Sequence, residues 1–449
     1  MTEIIKPRPI SGFPEWLPSE KILEEKMLGT IRKTFERFGF SPLETPAVER
    51  NEVLTSKGGN EKEIYTLARL AGTPEDDAKE YSLHFDLTVP LARYVAQHFQ
   101  RLSFPFRRYQ IQKVWRGERP QDGRFREFYQ CDIDIIGEEN LSLLADAEIP
   151  SVIHQIFSAM EIGDFIIKIN NRKILSGFLQ FHNIPAERHN DILRTIDKVE
   201  KIGREKVERE LSSVIGLPGE CVTGLLDLTS LQGTREEVLM RLESLDYGDL
   251  FRTGVFELRE VVENMEGLGV PSGNYRIDSS VARGLDYYTG TVYETNLKAH
   301  PDIGSICSGG RFDNLAGNFI KKRLPGVGIS IGLTRLFSRL LAAGIVKPGA
   351  STVSNILVTI LDRSYLKEYL AIATQLRGMG LNAEVYTEPK ALKKQLQFAS
   401  KKGFKMVLIA GENEFRERKA KIKNMESGEE REVSLDRLGE EASLLLSPG

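Results

Sequence analysis

The stretch Phe106–Gly137, FRRYQIQKVWRGERPQDGRFREFYQCDIDIIG, decides how the rest of the chain is read. Two alternating runs of strand-forming residues flank a polar loop containing Gly123, which predicts a long antiparallel hairpin. Along its return strand Phe128, Gln130, Asp132 and Asp134 have the same parity, so an aromatic ring, an amide and two carboxylates share one face. Read alone, such a face fits a solvated strand edge with charge pairs. It has company, however. Arg116 ends the first strand, Arg124 and Arg126 lie in the loop, and Arg283, Arg311 and Arg335 stand in strand or turn contexts further on. Guanidiniums converging beside an aromatic platform suit a polyphosphate nucleotide, with forked donors for phosphate oxygens and a ring for the base.

Outward from the hairpin, Ser19 opens an amphipathic helix with Ile22, Leu23, Met27, Ile31, Phe35 and Phe38 at helical spacing, ending near Gly39. The segment FSPLETPAVER is extended, because Pro42 and Pro46 exclude a helix. YSLHFDLTVPLARYVAQHF reads as a strand running into a helix. From about Asn171 to Tyr247 the texture changes to charged helical segments, an inserted helical domain. Strand patterns return in NYRIDSSVARGLDYYTGTVYETNL, where Tyr287 and Tyr288 are expected on opposite faces of a strand headed by Arg283. GSICSGGRFDNL makes a Gly-rich turn, and GVGISIGLTRLFSRLLAAG is a small-residue strand leading into a helix. After KPGAST the pattern is strand-helix-strand-helix-strand, which predicts a small α/β domain with mostly parallel strands.

Composition sets bounds. A chain of 449 residues implies about two to four domains. A formal charge of -3 gives no chain-wide attraction to nucleic acid or anionic membrane, so any such partner is met by a local patch. Cys131, Cys221 and Cys307 are far apart and form no ligand spacing, so they read as buried small hydrophobes rather than as a disulfide framework or metal site. The N-terminus lacks a basic-then-apolar leader pattern and no run of about 18 apolar residues occurs; the expectation is a cytoplasmic protein with no membrane association. Gly326, Gly328 and Gly332 do not make GxGxxG, and no GxxxxGK[ST] is present, which argues against a Rossmann or P-loop site. The small residues of that strand fit close approach of something to the backbone.

These stretches resemble a known family. The hairpin and GVGISIGLTRL, with Arg335 as its arginine, are similar to the second and third motifs of class II aminoacyl-tRNA synthetases, and the Pro46 segment resembles the first, which lies at the dimer interface in that class. RGLDYYTGTVYE and CSGGRFDNL resemble the two signatures of the histidyl-tRNA synthetase family, and FDLTVPLARY its amino-group segment. The second signature departs in reading Phe312 and Asn314 where Tyr and Gly are usual, which removes a hydroxyl; the early SGFPEWLPSE also departs. The resemblance covers nearly the whole chain. It implies an α+β catalytic domain on an antiparallel sheet in two parts, 1–170 and 256–345, around a helical insertion at 171–255, with a C-terminal α/β anticodon-binding domain at 355–449.

The resemblance further implies ATP-dependent ligation of L-histidine to histidine tRNA through a histidyl-adenylate, in a homodimer, with Mg²⁺ accompanying ATP. Carried over residue by residue, Arg116 holds the α-phosphate, and Arg283 contacts the substrate carboxylate and α-phosphate together. Arg335 holds the γ-phosphate end, Arg124 helps from the loop, Phe128 stacks on adenine and Glu118 takes the adenine amino group. Asp86, Thr88 and Gln130 hold the α-amino group, and Asp134 and Tyr288 address the imidazole nitrogens. Tyr287 reads equally as pocket wall or core aromatic. Two rivals are a histidine-binding regulatory subunit of ATP phosphoribosyltransferase, which usually lacks the anticodon domain and the full arginine set, and a generic ATP-dependent amino-acid ligase. The C-terminal cations from Lys390 to Lys423 read either as a tRNA-binding patch or as solvated surface.

Overall fold

The predicted hairpin is the centre of an eight-stranded sheet in the computed structural model, which describes residues 4–56, 61–70, 80–121, 123–282, 284, 287–388 and 390–446. Two units are distinguished, residues 1–14 with 28–346 and residues 15–27 with 347–449. Numbered along the chain, the strands of the first unit are β1 (Ser41–Pro42), β2 (Val48–Arg50), β3 (Tyr81–Leu83), β4 (Phe106–Trp115), β5 (Glu127–Ile136), β6 (Phe165–Asn171), β7 (Tyr275–Ile277), β8 (Thr291–Leu297), β9 (Ser305–Phe312) and β10 (Gly326–Gly332). The large sheet has the order β1-β4-β5-β10-β9-β8-β6-β7, and β2 pairs with β3 separately. Its interior pairings are antiparallel; parallel pairing occurs only at the two edges, β1 with β4 and β7 with β6.

Register places one row of side chains across this sheet. Gln110 lies opposite Asp132, Asp132 opposite Ser330, Ser330 opposite Ser308, Ser308 opposite Glu294 and Glu294 opposite Lys168. Since side chains alternate between faces, the row is the polar face and the intervening residues form the other. That other face, with Ile133, Ile135, Val327 and Tyr293, is buried, as are Ile149, Val152, Ile153 and Ile156 of the helix Leu143–Met160. The phenol of Tyr293 donates to the Asp146 carbonyl of this helix at 2.7 Å.

Between β6 and β7 the chain is helical, including Arg172–Phe181, Ala186–Ile196, Gly219–Thr229, Arg235–Glu243 and Gly248–Gly267. The last of these buries Phe251, Val255, Leu258, Val262 and Met265, the spacing of a single apolar helix face. It runs without a break across the 255/256 border drawn from sequence.

The second unit holds a five-stranded sheet, β11 (Ile356–Val358), β12 (Ala383–Val385), β13 (Met406–Ile409), β14 (Lys419–Asn424) and β15 (Glu430–Ser434), in the order β12-β11-β13-β14-β15. Strands β12, β11 and β13 are parallel as predicted, but β14 and β15 add an antiparallel hairpin that the sequence pattern did not reveal. The reason is the weak apolar signal of this hairpin: Ala420, Ile422 and Val433 are its buried residues, and the alternate positions are charged.

Candidate active site

Five residues predicted to meet a nucleotide, Arg116, Glu118, Arg124, Phe128 and Arg335, line one cavity of about 330 Å³ together with Gln130, Ser308 and Ser330. Arg116 and Glu118 follow β4, Phe128 and Gln130 belong to β5, and Ser330 to β10. Arg335 sits in the first turn of the helix Leu333–Ala342 that β10 enters. In this structure the cations rest on protein groups. The Arg116 guanidinium lies 5.1 Å over the Phe128 ring and its Nε donates to the Phe85 carbonyl at 3.0 Å. Arg124 pairs with Glu118 at 3.3 Å, and Arg335 donates to the Ile303 carbonyl at 3.3 Å. One face of the Phe128 ring thus carries Arg116.

Gln130 leads from this cavity to the second predicted group. Its Nε2 donates to Ser330 Oγ at 2.8 Å. Asp86 accepts from the Val89 backbone N–H at 3.0 Å, which fixes the start of the helix Thr88–His98 and with it Thr88. Asp134 is buried and ion-paired with Arg108, which is itself fully buried. Tyr287 and Tyr288 pack edge to face, with ring centroids 5.2 Å apart. Burial raises both phenol pKa values, and Asp134 raises them further, with a smaller push from Asp86. The two carboxylates and both tyrosines are therefore within electrostatic reach of one another.

Small residues make this arrangement possible. A Cβ on Gly328 would lie 2.3 Å from Asp134 Oδ1, and one on Gly310 would lie 2.9 Å from Tyr288 Cγ. Close approach to the backbone, expected from GVGISIG, is thus made by Asp134 lying flat on β10.

Three expectations are corrected. Tyr287 and Tyr288 are not on a strand with opposite faces: β8 begins only at Thr291, and their N–H groups both donate to the Gly284 carbonyl, at 3.0 and 2.9 Å, in a turn that Gly284 enters with φ 68°. Both rings consequently join one cluster, with Tyr287 packed 4.9 Å from Phe312. Arg311 does not converge on the nucleotide. Its parity on β9 is opposite to that of Ser308, and its Nε donates to Asp146 Oδ1 at 3.0 Å on the helix-covered face. Finally, Pro46 itself lies outside any strand, between β1 and β2. Arg283, the residue predicted to head the signature, lies outside the described residues.

Sequence reasoning missed Arg108 and gave Asp132 no role. The signal for Arg108 was available in the hairpin register, since it stands directly opposite Asp134.

With this geometry in view, comparison with known proteins is decisive. A histidyl-tRNA synthetase family model matches residues 12–336, and an anticodon binding domain model matches residues 355–443. The chain belongs to the histidyl-tRNA synthetase family. Family relatives include the histidine–tRNA ligase of Clostridium tetani, 47% identical over 437 residues, with 97% of each chain covered. The crystal structure of histidyl-tRNA synthetase from Nostoc sp. PCC 7120 superposes with a TM-score of 0.92 at 46% identity, covering 99% of this chain and 100% of that one. An ATP phosphoribosyltransferase regulatory subunit/histidyl-tRNA synthetase from Bacillus halodurans shares the fold with a TM-score of 0.72 at 19% identity, covering 88% of this chain and 97% of that one.

Proposed function

We propose that this protein ligates L-histidine to its tRNA in protein synthesis, first forming histidyl-adenylate and pyrophosphate from histidine and ATP. The observation that carries the reading is the make-up of the site: a cavity is lined by Arg116, Arg124, Arg335, Phe128 and Gln130, and Asp134, on the same face of β5 as Gln130, acts with Asp86 on both Tyr287 and Tyr288.

Activation requires a carboxylate to attack the α-phosphate, and the two anions repel, so placed positive charge is what the site must supply. In our assignment Arg116 swings from Phe128 onto the α-phosphate, Arg335 takes the γ-phosphate end and Arg124 leaves Glu118 to assist. Phe128 and Glu118 are thereby freed for the adenine ring and its amino group. Arg283 neutralises carboxylate and α-phosphate together, an assignment that rests on sequence. Asp86, Thr88 and Gln130 hold the α-amino group, and Asp134 and Tyr288 the imidazole nitrogens. Tyr287 serves as wall, backed by Phe312. An apolar competitor offers nothing to the Asp134 and Tyr288 groups assigned to the imidazole, a mismatch that sites of this kind penalise by about 4 to 5 orders of magnitude. Among the described residues no group of three or more His, Cys, Asp and Glu side chains is suited to hold a metal ion; Mg²⁺ is assigned to the ATP phosphates, arriving with its substrate.

The same reading includes a homodimer through the segment around Pro46, a cytoplasmic location, and an anticodon role for 355–449. Among the described residues no helix is long and apolar enough to cross a membrane. The catalytic parts are assigned to 1–170 and 256–345, around the insertion at 171–255, with the helix Gly248–Gly267 spanning the second border. Pyrophosphate exchange assayed with each common amino acid tests the proposal. Exchange is expected with histidine alone; exchange with another amino acid, or none with any, overturns it.

A further inference from the structure

The polar row across the sheet contains a carboxylate with no assigned task. Asp132 is 3% exposed, on β5, between Gln110 and Ser330. Gln110 offers it nothing, because its Nε2 donates to Thr45 Oγ1 at 3.0 Å and to Gln112 Oε1 at 2.6 Å. Ser330, directly opposite on β10, has a single hydroxyl proton, and its hydroxyl pulls the Asp132 carboxyl down as a donor does. An ionised carboxylate only accepts, so the Ser330 oxygen is left to accept from Gln130 Nε2. This relay fixes the orientation of the Gln130 amide. Its Oε1 and Asp132 Oδ1 are then two buried acceptors, two residues apart on the same face, and among the described residues neither has a hydrogen-bond partner. Buried polar atoms are ordinarily paired, so an orphaned pair of acceptors on one wall points to a donor that comes from outside.

The charge balance narrows the choice. Asp86, Asp132 and Asp134 all act on Tyr288. Among the described residues the cation that acts on Asp132 is Arg108, and Arg108 is already paired with Asp134. Burial, reinforced by Asp134 and Asp86, holds the Asp132 carboxyl at about 7 against the pull of Arg108 and Ser330. What fits is a compact cation with several N–H donors and no acceptor, a primary ammonium.

We propose that Asp132 is a substrate-binding residue that, with Gln130 and Asp86, holds the α-ammonium of the amino acid, and that Ser330 positions both acceptors. The proposal rests on the histidine-site reading above and adds a carboxylate to it. Selectivity then depends on the amino group as much as on the ring.

Two probes separate the ends of the ligand. Histidinol carries the ammonium and the imidazole without the carboxylate; imidazolepropionate carries the imidazole and the carboxylate without the ammonium. Their dissociation constants are measured by calorimetry on the full chain, by displacement where binding is weak, for wild type, Asp132→Asn and Ser330→Ala. Loss of a charge-assisted hydrogen bond predicts at least ~10-fold weaker histidinol binding in Asp132→Asn, with imidazolepropionate changed less than ~3-fold. Ser330→Ala follows in the same selective sense with a smaller loss, and it carries the test by itself if Asp132→Asn does not fold. Equal losses for both probes, or no loss for histidinol, overturn the proposal. A wild-type protein that binds neither probe overturns the histidine-site reading, a result distinguishable from the other two.

Discussion

Replacing Arg108 with methionine removes a guanidinium ion-paired with Asp134 while roughly keeping its length and packing. Both partners are buried, Arg108 at 0% and Asp134 at 5% exposure, so the change takes a counter-charge from a carboxylate held away from water. Breaking a buried pair by deleting one partner costs about 3–5 kcal/mol. Asp134 has an escape, which is to take up a proton. Carrying a group of pKa about 3.9 in the unfolded chain as a neutral acid at pH 7 costs about 4 kcal/mol, at about 1.4 kcal/mol per pH unit, and this caps the loss. The sign follows: a raised folded-state pKa gives stability that is present at low pH and lost as pH rises. The Arg108→Met penalty should therefore be about 4 kcal/mol at pH 7 and shrink to roughly 1.5 kcal/mol at pH 5. The double variant Arg108→Met/Asp134→Asn should recover most of it. Hydrogen exchange at β4 and β5 amides, read across this pH range, reports the stability of the sheet without requiring the whole chain to unfold in one step. A penalty below about 1 kcal/mol that is flat with pH, or one that Asp134→Asn does not relieve, would refute the claim that this pair is a mutually dependent buried ion pair.

Asp134→Ala should raise the Michaelis constant for histidine strongly in pyrophosphate exchange while that for ATP changes little; equal losses would put Asp134 elsewhere. Asp132, at about 7 in the folded chain against 3.8 ordinarily, holds a proton in between that the unfolded chain has released, so its stability contribution is lost as pH rises through 7. Asp132→Asn cannot ionise and should gain melting temperature over wild type from pH 5 to pH 8 in the absence of substrate; an advantage that is constant with pH would contradict this. In the C-terminal unit, Lys419, Lys421 and Lys423 are ion-paired with Glu417, Glu414 and Glu430 at 3.0, 3.4 and 2.7 Å. Lys393, Lys394, Lys401 and Lys405 have no ion pair among the described residues. Replacing those four by glutamine should reduce the salt slope of tRNA binding by up to about 3, whereas the β14 triple replacement should leave it nearly unchanged; the reverse result would move the tRNA contact to the hairpin.

What was legible in the sequence followed from alternation within single strands. The β4–β5 hairpin showed itself because strand-formers and polar residues alternate on both sides of one Gly-containing loop, and that parity alone put Phe128, Gln130, Asp132 and Asp134 together. What stayed hidden needed a partner strand or a backbone angle. Arg108 becomes meaningful only once the register sets it opposite Asp134. The lysines of β14 could be read either as a tRNA-binding patch or as solvated surface, because the glutamates that neutralise them come largely from other elements. Tyr287 and Tyr288 were misplaced because Tyr and Thr favour strands, whereas the positive φ of Gly284 turns the chain before the strand starts. Arg311 was grouped with the site by type; counting parity from Ser308 sends it to the opposite face.

The glycine floor under Asp134 and Tyr288 also limits how this site can diverge. Widening a specificity pocket usually means trimming a side chain, and at Gly328 and Gly310 there is nothing left to trim. On the proposed assignment, a descendant that admits a bulkier amino acid hollows out the tyrosine walls or surrenders Asp134, and both changes remove groups assigned to the imidazole. The floor is fixed in the other direction as well, since a single added methyl at Gly328 would collide with the Ile133 carbonyl at 2.2 Å, a backbone atom that cannot step aside without moving the strand. Substrate drift at this site is therefore confined to a few wall positions, which makes those positions the place to begin when selecting variants for a histidine analogue.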